Sequence, residues 1–210
     1  MIVSAHQPNF LPGISVIRKI AESDAVIWVD EVQYSHYSFT ARNKLRNEQP
    51  ILVPLKAVTR QGPINRVEIA SIGNWRKKLC RTLELIVGDK ALPYIEQIRR
   101  PYGLLVGLNA ALLWELREDF RNYAFAEWHW QSQLVGGRKL ESIVDDRETS
   151  GVRRQISYQL AAMTEEIGGT IYLSGPSGKN YLDETPFKER NIEVRYYEHT
   201  GDNYCCLSYL

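Results

Sequence analysis

The chain has little cysteine and no means of making a scaffold from it. Its three cysteines are Cys80, Cys205 and Cys206, and neighbours such as the last two rarely bridge. A disulfide framework is excluded, and a reducing, cytoplasmic setting is expected. Long hydrophobic runs are missing too. The longest, residues 104–114, is interrupted by Gly107 and Asn109, and it is too short to cross a bilayer. Residues 1–5 are apolar, but His6, Gln7 and Pro8 follow at once, unlike a secretory leader. No membrane partner is therefore expected. The catalytic signatures H-E-x-x-H, G-x-S-x-G and G-x-G-x-x-G are also absent, as is any Cys/His cluster with metal-ligand spacing. These absences disfavour a metalloprotease, a serine hydrolase and a nicotinamide enzyme.

What is present is ordinary globular composition, 44% apolar and 24% charged with a net charge of +1, which excludes a disordered tail or a histone-like protein. The charge is unevenly spread. Residues 42–100 hold 13 basic and 5 acidic side chains, a local excess of +8, while the remainder is acidic. Such a segment either gathers an anionic partner or forms solvated faces balanced by the acidic C-terminal half.

Apolar patterning predicts strands over residues 1–5 and 25–29, separated by a helix over 13–23 whose stripe is Ile14, Ile17 and Ile20, with Arg18 and Lys19 off it. Strand, helix, strand is a βαβ unit, which builds parallel sheets. Further strands are expected at 49–55 and 66–71, a candidate hairpin pair, and at 129–135, 170–173 and 192–197. Helices are expected from Asn74 to Ile86, in two or more pieces over 93–123, and from Thr149 to Ile167, stopped by Gly168 and Gly169. The fold class is α/β, a largely parallel, Rossmann-like sheet with flanking helices. One domain over 1–210 is expected, with a helical insert or cap around 74–123.

Three segments can carry chemistry. The loop after the first strand contains His6, Gln7, Pro8 and Asn9, and ligands of open α/β sheets bind beyond the carboxyl ends of strands. His6 can serve as acid, base or phosphate donor near neutral pH. After the second strand come Asp30, Glu31, Gln33 and Tyr34. The two acids could hold Mg²⁺ or take a proton from a nucleophile, and they trail on to Arg42, Asn43, Lys44 and Arg46, whose cations at alternate positions share one face of an extended segment. The third segment, Ser174, Gly175, Ser177, Gly178, Lys179 and Tyr181, has the small residues that let backbone approach an oxyanion. It is not a Walker A loop, because its glycines are too close and Asn180 stands where Ser or Thr is required. Each segment also has a plain structural reading, as a turn, a cap or a charged edge strand.

Taken in order, these segments resemble the WbqC-like protein family. The resemblance rests on His6-Gln7-Pro8-x-Phe10-x-Pro12 after a strand, Asp30-x-Val32-Gln33-Tyr34, Arg42-Asn43, Tyr172-Leu173-Ser174-Gly175-x-x-Gly178 with Tyr181, and Phe187-x-x-x-x-Ile192-x-Val194. It runs from Met1 to about Tyr197. Gly13 departs from it, standing where relatives carry an aromatic, and the chain stops at Leu210 where many relatives continue.

The resemblance implies a transferase that displaces pyrophosphate from an activated substrate with the amine of a small amino acid such as glycine. The acceptor implied by one group of relatives is a hypermodified thymine in phage DNA. Another group implies a nucleotide-activated sugar of polysaccharide biosynthesis. On this reading His6, Asp30 and Glu31 are catalytic. Gln7, Asn9, Gln33, Tyr34, Arg42, Asn43, Lys44, Ser174, Gly175, Ser177, Gly178, Lys179 and Tyr181 bind substrate, and Mg²⁺ is an optional cofactor. Tyr34, Tyr37 or Phe39 would stack on a base. The competing expectations are a non-catalytic nucleic-acid binder using residues 42–100 and a nucleotidyltransferase-like enzyme. The latter rests on fold analogy alone.

Overall fold

A computed structural model of the chain describes residues 1–120, 126–134 and 149–210, with only the backbone described at 149–153. In chain order the elements are β1 (Ile2–His6), α1 (Ile14–Ala21), β2 (Ala25–Trp28), β3 (Arg42–Lys44), β4 (Pro50–Leu52), α2 (Trp75–Ile86), α3 (Leu92–Arg99), α4 (Leu105–Asp119), β5 (Glu127–Trp130), α5 (Thr149–Glu166), β6 (Ile171–Ser174), α6 (Thr185–Lys188) and β7 (Glu193–Tyr196). The chain divides into two compact units. One contains residues 1–6, 18–29 and the described part of 126–201; the other contains 7–17, 30–120 and 202–210.

The first unit is a five-stranded parallel sheet in the order β5-β2-β1-β6-β7. This is the α/β, Rossmann-like architecture that the alternating pattern predicts. All four residues of β2 are buried, as expected of an inner strand of a parallel sheet covered on both sides. Val3, Ala25, Ile27 and Tyr172 face Leu160, Ala161 and Met163 of α5, and Phe187 of α6 closes this core against Tyr172, ring centroids 4.9 Å apart. The helix α5 stops at Gly168, whose φ of +79° is left-handed. The next residue must be glycine for another reason: a Cβ on Gly169 would lie 2.6 Å from both Val3 Cγ2 and Thr164 Cγ2. Helix and central strand approach through that gap.

The second unit is built on α2, α3 and α4 packed in succession, with Tyr94, Ile98, Leu108, Leu112 and Leu116 fully buried. Asn74 stands at the N-cap of α2 as expected, but its side chain makes no capping hydrogen bond. Asn109 is buried in α4. Its Nδ2 donates to the Pro8 carbonyl at 2.6 Å and to the Thr40 carbonyl at 2.8 Å, tying two loops to the helix. The C-terminal segment straps the same unit, where Cys205 N–H donates to Lys44 O and Cys206 N–H to Pro12 O.

Several boundaries differ from expectation. The antiparallel hairpin is β3 with β4, not 49–55 with 66–71. Residues 66–71 touch the former stretch through one isolated bridge, Leu55↔Ile69. The reason is that the alternation of Arg42, Asn43 and Lys44, exposed–buried–exposed, is itself a strand pattern with a turn after it. The strand expected at 129–135 begins two residues earlier, at Glu127, and gives way to a 3-10 turn at Gln131; Val135 lies outside the described residues, as do positions 121–123 of the predicted helical stretch. Lys19 is the largest departure. Arg18 is exposed, but Lys19 is buried, only 4% exposed, although its charge argues for solvent.

Candidate functional site

In the first unit, the carboxyl ends of the strands carry Trp130, Trp28, His6, Ser174 and Tyr196, in the spatial order of the sheet. The register pairs His6 with Trp28 and Trp28 with Trp130. Chain direction across the sheet reverses between β1 and β6, since β2 and β5 lie to one side and β7 to the other. Such a switch point opens a crevice, because the loops leaving its two strands diverge. The β1–β6 pairing ends at Ser4↔Leu173, while β1–β2 pairing continues to His6↔Trp28. Thus His6 and the loop after Ser174 flank the place where β1 and β6 part. By strand alternation, the Ser174 and His6 side chains leave opposite faces of the sheet.

The loop after β6 is a 3-10 turn over Pro176–Asn180. Gly178 is buried against Ser174, and its N–H donates to the Gly175 carbonyl, so that amide is used inside the loop. Ser177 and Tyr181 are exposed. Lys179 is exposed, lies 3.5 Å from Glu198 and sits over the Tyr196 ring at 5.5 Å. The Tyr196 hydroxyl donates to Glu184 at 3.0 Å. Sequence reasoning missed the tryptophans here. Trp28 is fully buried, with Trp128 edge-on at 5.4 Å and Trp130 tilted at 6.4 Å. The signal for them was Trp-x-Trp at alternate positions beside an apolar strand that itself ends in Trp28.

The remaining predicted site residues belong to the second unit. Gln7 Oε1 accepts from the Thr40 hydroxyl at 3.4 Å, and Asn9 is buried. Asp30 is buried, its carbonyl accepting from Asn65 N–H at 2.9 Å, and Glu31 is half-buried. Gln33 is exposed and bridges to Pro63. Tyr34 is buried between charges. Burial pushes its phenol up, and the Arg60 and Arg42 guanidiniums pull it back. Arg42 is exposed on β3, a hairpin strand rather than a parallel one. Asn43 is committed to backbone: Nδ2 donates to Leu11 O at 2.6 Å and Oδ1 accepts from Lys44 N–H at 2.8 Å. Lys44 pairs with Glu48 at 2.6 Å. Tyr37 and Phe39 are exposed aromatics.

The basic segment also acquires a shape in this unit. A cleft of about 500 Å³ on α2 and α3 is lined by Arg76, Lys77, Cys80, Arg81, Glu84 and Arg99. Arg76 is held in place, with Nε donating to Ile98 O at 3.0 Å and its guanidinium stacked on Trp75 at 4.4 Å. Burial pushes the Cys80 thiol up, away from the thiolate. Among the described residues, no three His, Cys, Asp or Glu side chains gather to hold a metal ion, and no helix is long and apolar enough to cross a membrane.

A parallel α/β sheet with an aromatic row and a small-residue loop at its carboxyl edge defines a Rossmann-like protein. The chain belongs to the WbqC-like protein family, whose model matches residues 7–208. It is also similar to Rv1507c of Mycobacterium tuberculosis, described as an uncharacterized protein, at 24% identity over 95% of this chain and 83% of that one. No solved structure matches.

Proposed function

We propose that the protein is a transferase in which the amine of a small amino acid displaces pyrophosphate from an activated thymine in DNA. Family membership supports the coarser part, a transferase-type role. The observation that carries the finer part is the carboxyl edge of the parallel sheet, where a tryptophan row, His6 and the loop after Ser174 lie side by side. The half-buried Trp130 at the end of that row suits a base taken out of its stack, and the imidazole and the Lys179 ammonium suit a departing pyrophosphate.

In the reaction, the amine nitrogen bonds to the methylene carbon on the base. The bond from that carbon to the pyrophosphate oxygen breaks, and both electrons leave with pyrophosphate. The nitrogen sheds a proton to a general base. The experiment is mass spectrometry of nucleosides after incubating pyrophosphate-activated DNA with the protein and each amino acid. The expected result is a nucleoside carrying the amino acid in place of pyrophosphate; activated DNA that emerges unchanged with every amino acid refutes the reading.

A second reading, a nucleic-acid binder without catalysis, is favoured by the cleft of Arg76, Lys77, Arg81 and Arg99. It predicts affinity for DNA regardless of activation, and no product.

A further inference from the structure

Among the described residues, Lys19 is a buried cation without a counter-charge. The residue is 4% exposed, and its Nζ donates to the Ala5 carbonyl at 3.1 Å. Among the described residues the ammonium makes no ion pair and no other hydrogen bond, which leaves two N–H groups unused. Burying an ammonium is costly unless an anion meets it. Burial alone lowers its pKa to about 8, with no charged neighbour contributing.

Its position is specific. Ala5 is the first β1 residue beyond the last β1–β6 pair, Ser4↔Leu173, so its carbonyl lies where the two strands part. That is the switch point of the sheet, next to His6. The helix α1 runs back from the carboxyl side of the sheet toward the start of β2, and helical side chains lean toward their own N-terminus. The long Lys19 stem is thereby directed to the carboxyl end of the strands. Two more buried polar atoms in β1 and β2 have no hydrogen-bond partner among the described residues, Ser4 Oγ and Trp28 Nε1. An unpaired, buried ammonium at that junction calls for an oxyanion to meet it.

We propose that Lys19 is the seat of a ligand oxyanion, a phosphoryl or carboxylate oxygen, at the junction of β1 and β6. The inference deepens the transferase reading and rests on it for the choice of probes, since pyrophosphate and an amino-acid carboxylate are the two oxyanions that reaction would bring.

The test is calorimetric titration of the full chain, with inorganic pyrophosphate in one arm and glycine in the other. The wild type is compared with Lys19→Met and with the exposed neighbour control Arg18→Met. Wild type and Arg18→Met are expected to bind one probe alike, and the arm that responds identifies the oxyanion. Lys19→Met is expected to bind that probe about ten-fold or more weakly, the loss of a charge-assisted hydrogen bond. Thermal unfolding of the ligand-free proteins should show Lys19→Met at least as stable as wild type, which separates lost binding from lost folding. Wild type that binds neither probe, Lys19→Met with wild-type affinity, or Lys19→Met that does not fold each overturns the proposal. The assay contains no DNA, so its failure is distinct from the absence of a transfer product.

Discussion

Gly178 lies directly against Ser174: a Cβ built on Gly178 would stand 2.0 Å from Ser174 Oγ and 3.1 Å from Ser174 Cβ. The small residues of this loop therefore serve close packing at the carboxyl end of β6. Gly178→Ala should destabilise the protein by roughly 1–3 kcal/mol, the usual cost of overpacking. The double variant Ser174→Gly with Gly178→Ala removes the obstructing hydroxyl and should cost less than the two single changes together. Urea unfolding of the three variants measures the coupling, and strict additivity would contradict this packing.

Asn109 holds the Pro8 and Thr40 carbonyls from inside α4. Asn109→Leu keeps the size of the side chain and leaves both carbonyls without their donor. A loss on the order of 2–4 kcal/mol is expected, since each buried acceptor left unsatisfied costs about 1–3 kcal/mol. Asn109→Asp should be worse still at neutral pH, because it sets a carboxylate against two carbonyl oxygens. Chemical denaturation tests the order; an Asp variant more stable than the Leu variant would contradict it.

The buried Lys19 gives stability a pH dependence. In the unfolded chain the ammonium keeps its proton up to about 10.5, and in the folded chain it releases it at about 8. Between those values the unfolded state binds more protons, so stability rises with pH across this window. Below pH 8 the penalty is fully present, on the order of 3 kcal/mol at most. Lys19→Met should remove this contribution. The difference in unfolding free energy between variant and wild type should favour the variant at pH 7 and shrink toward pH 10. A difference independent of pH would mean that the ammonium is not desolvated.

The cleft on α2 and α3 predicts a salt effect if DNA is the acceptor. Arg76 is tied to Ile98 O and Trp75, so Lys77, Lys78 and Arg81, all exposed, are the residues to change. Their replacement by Ala should flatten the dependence of binding on salt by about 0.9 in log–log slope for each phosphate that is no longer neutralised. An unchanged slope would remove this face from any role in holding DNA.

Much of the fold was legible because its signals are local. Apolar runs bounded by Pro, Gly and Asp marked β1, β2, β6 and β7, and Gly168 marked the end of α5. The hairpin partner was not legible: Arg42–Lys44 reads as an extended charged segment, but nothing local says that it pairs with Pro50–Leu52. Candidate residues were legible as chemical types at loop positions. Their uses were not: the Asn43 amide serves the backbone of Leu11 and Lys44, a matter of which carbonyl happens to lie beside it.

By itself the amino-acid order determined a parallel α/β protein of the WbqC-like family, since strand and helix periods and the order of loop motifs are properties of the chain. Strand order, and with it the switch point between β1 and β6, was decided only by tertiary structure, because pairing joins residues about 170 positions apart, as in Ile2↔Ile171, and no local pattern specifies such a partner. The same holds for Lys19. Composition and helical periodicity send a lysine to solvent, and only the packing of α1 along the sheet leaves its ammonium enclosed beside the Ala5 carbonyl.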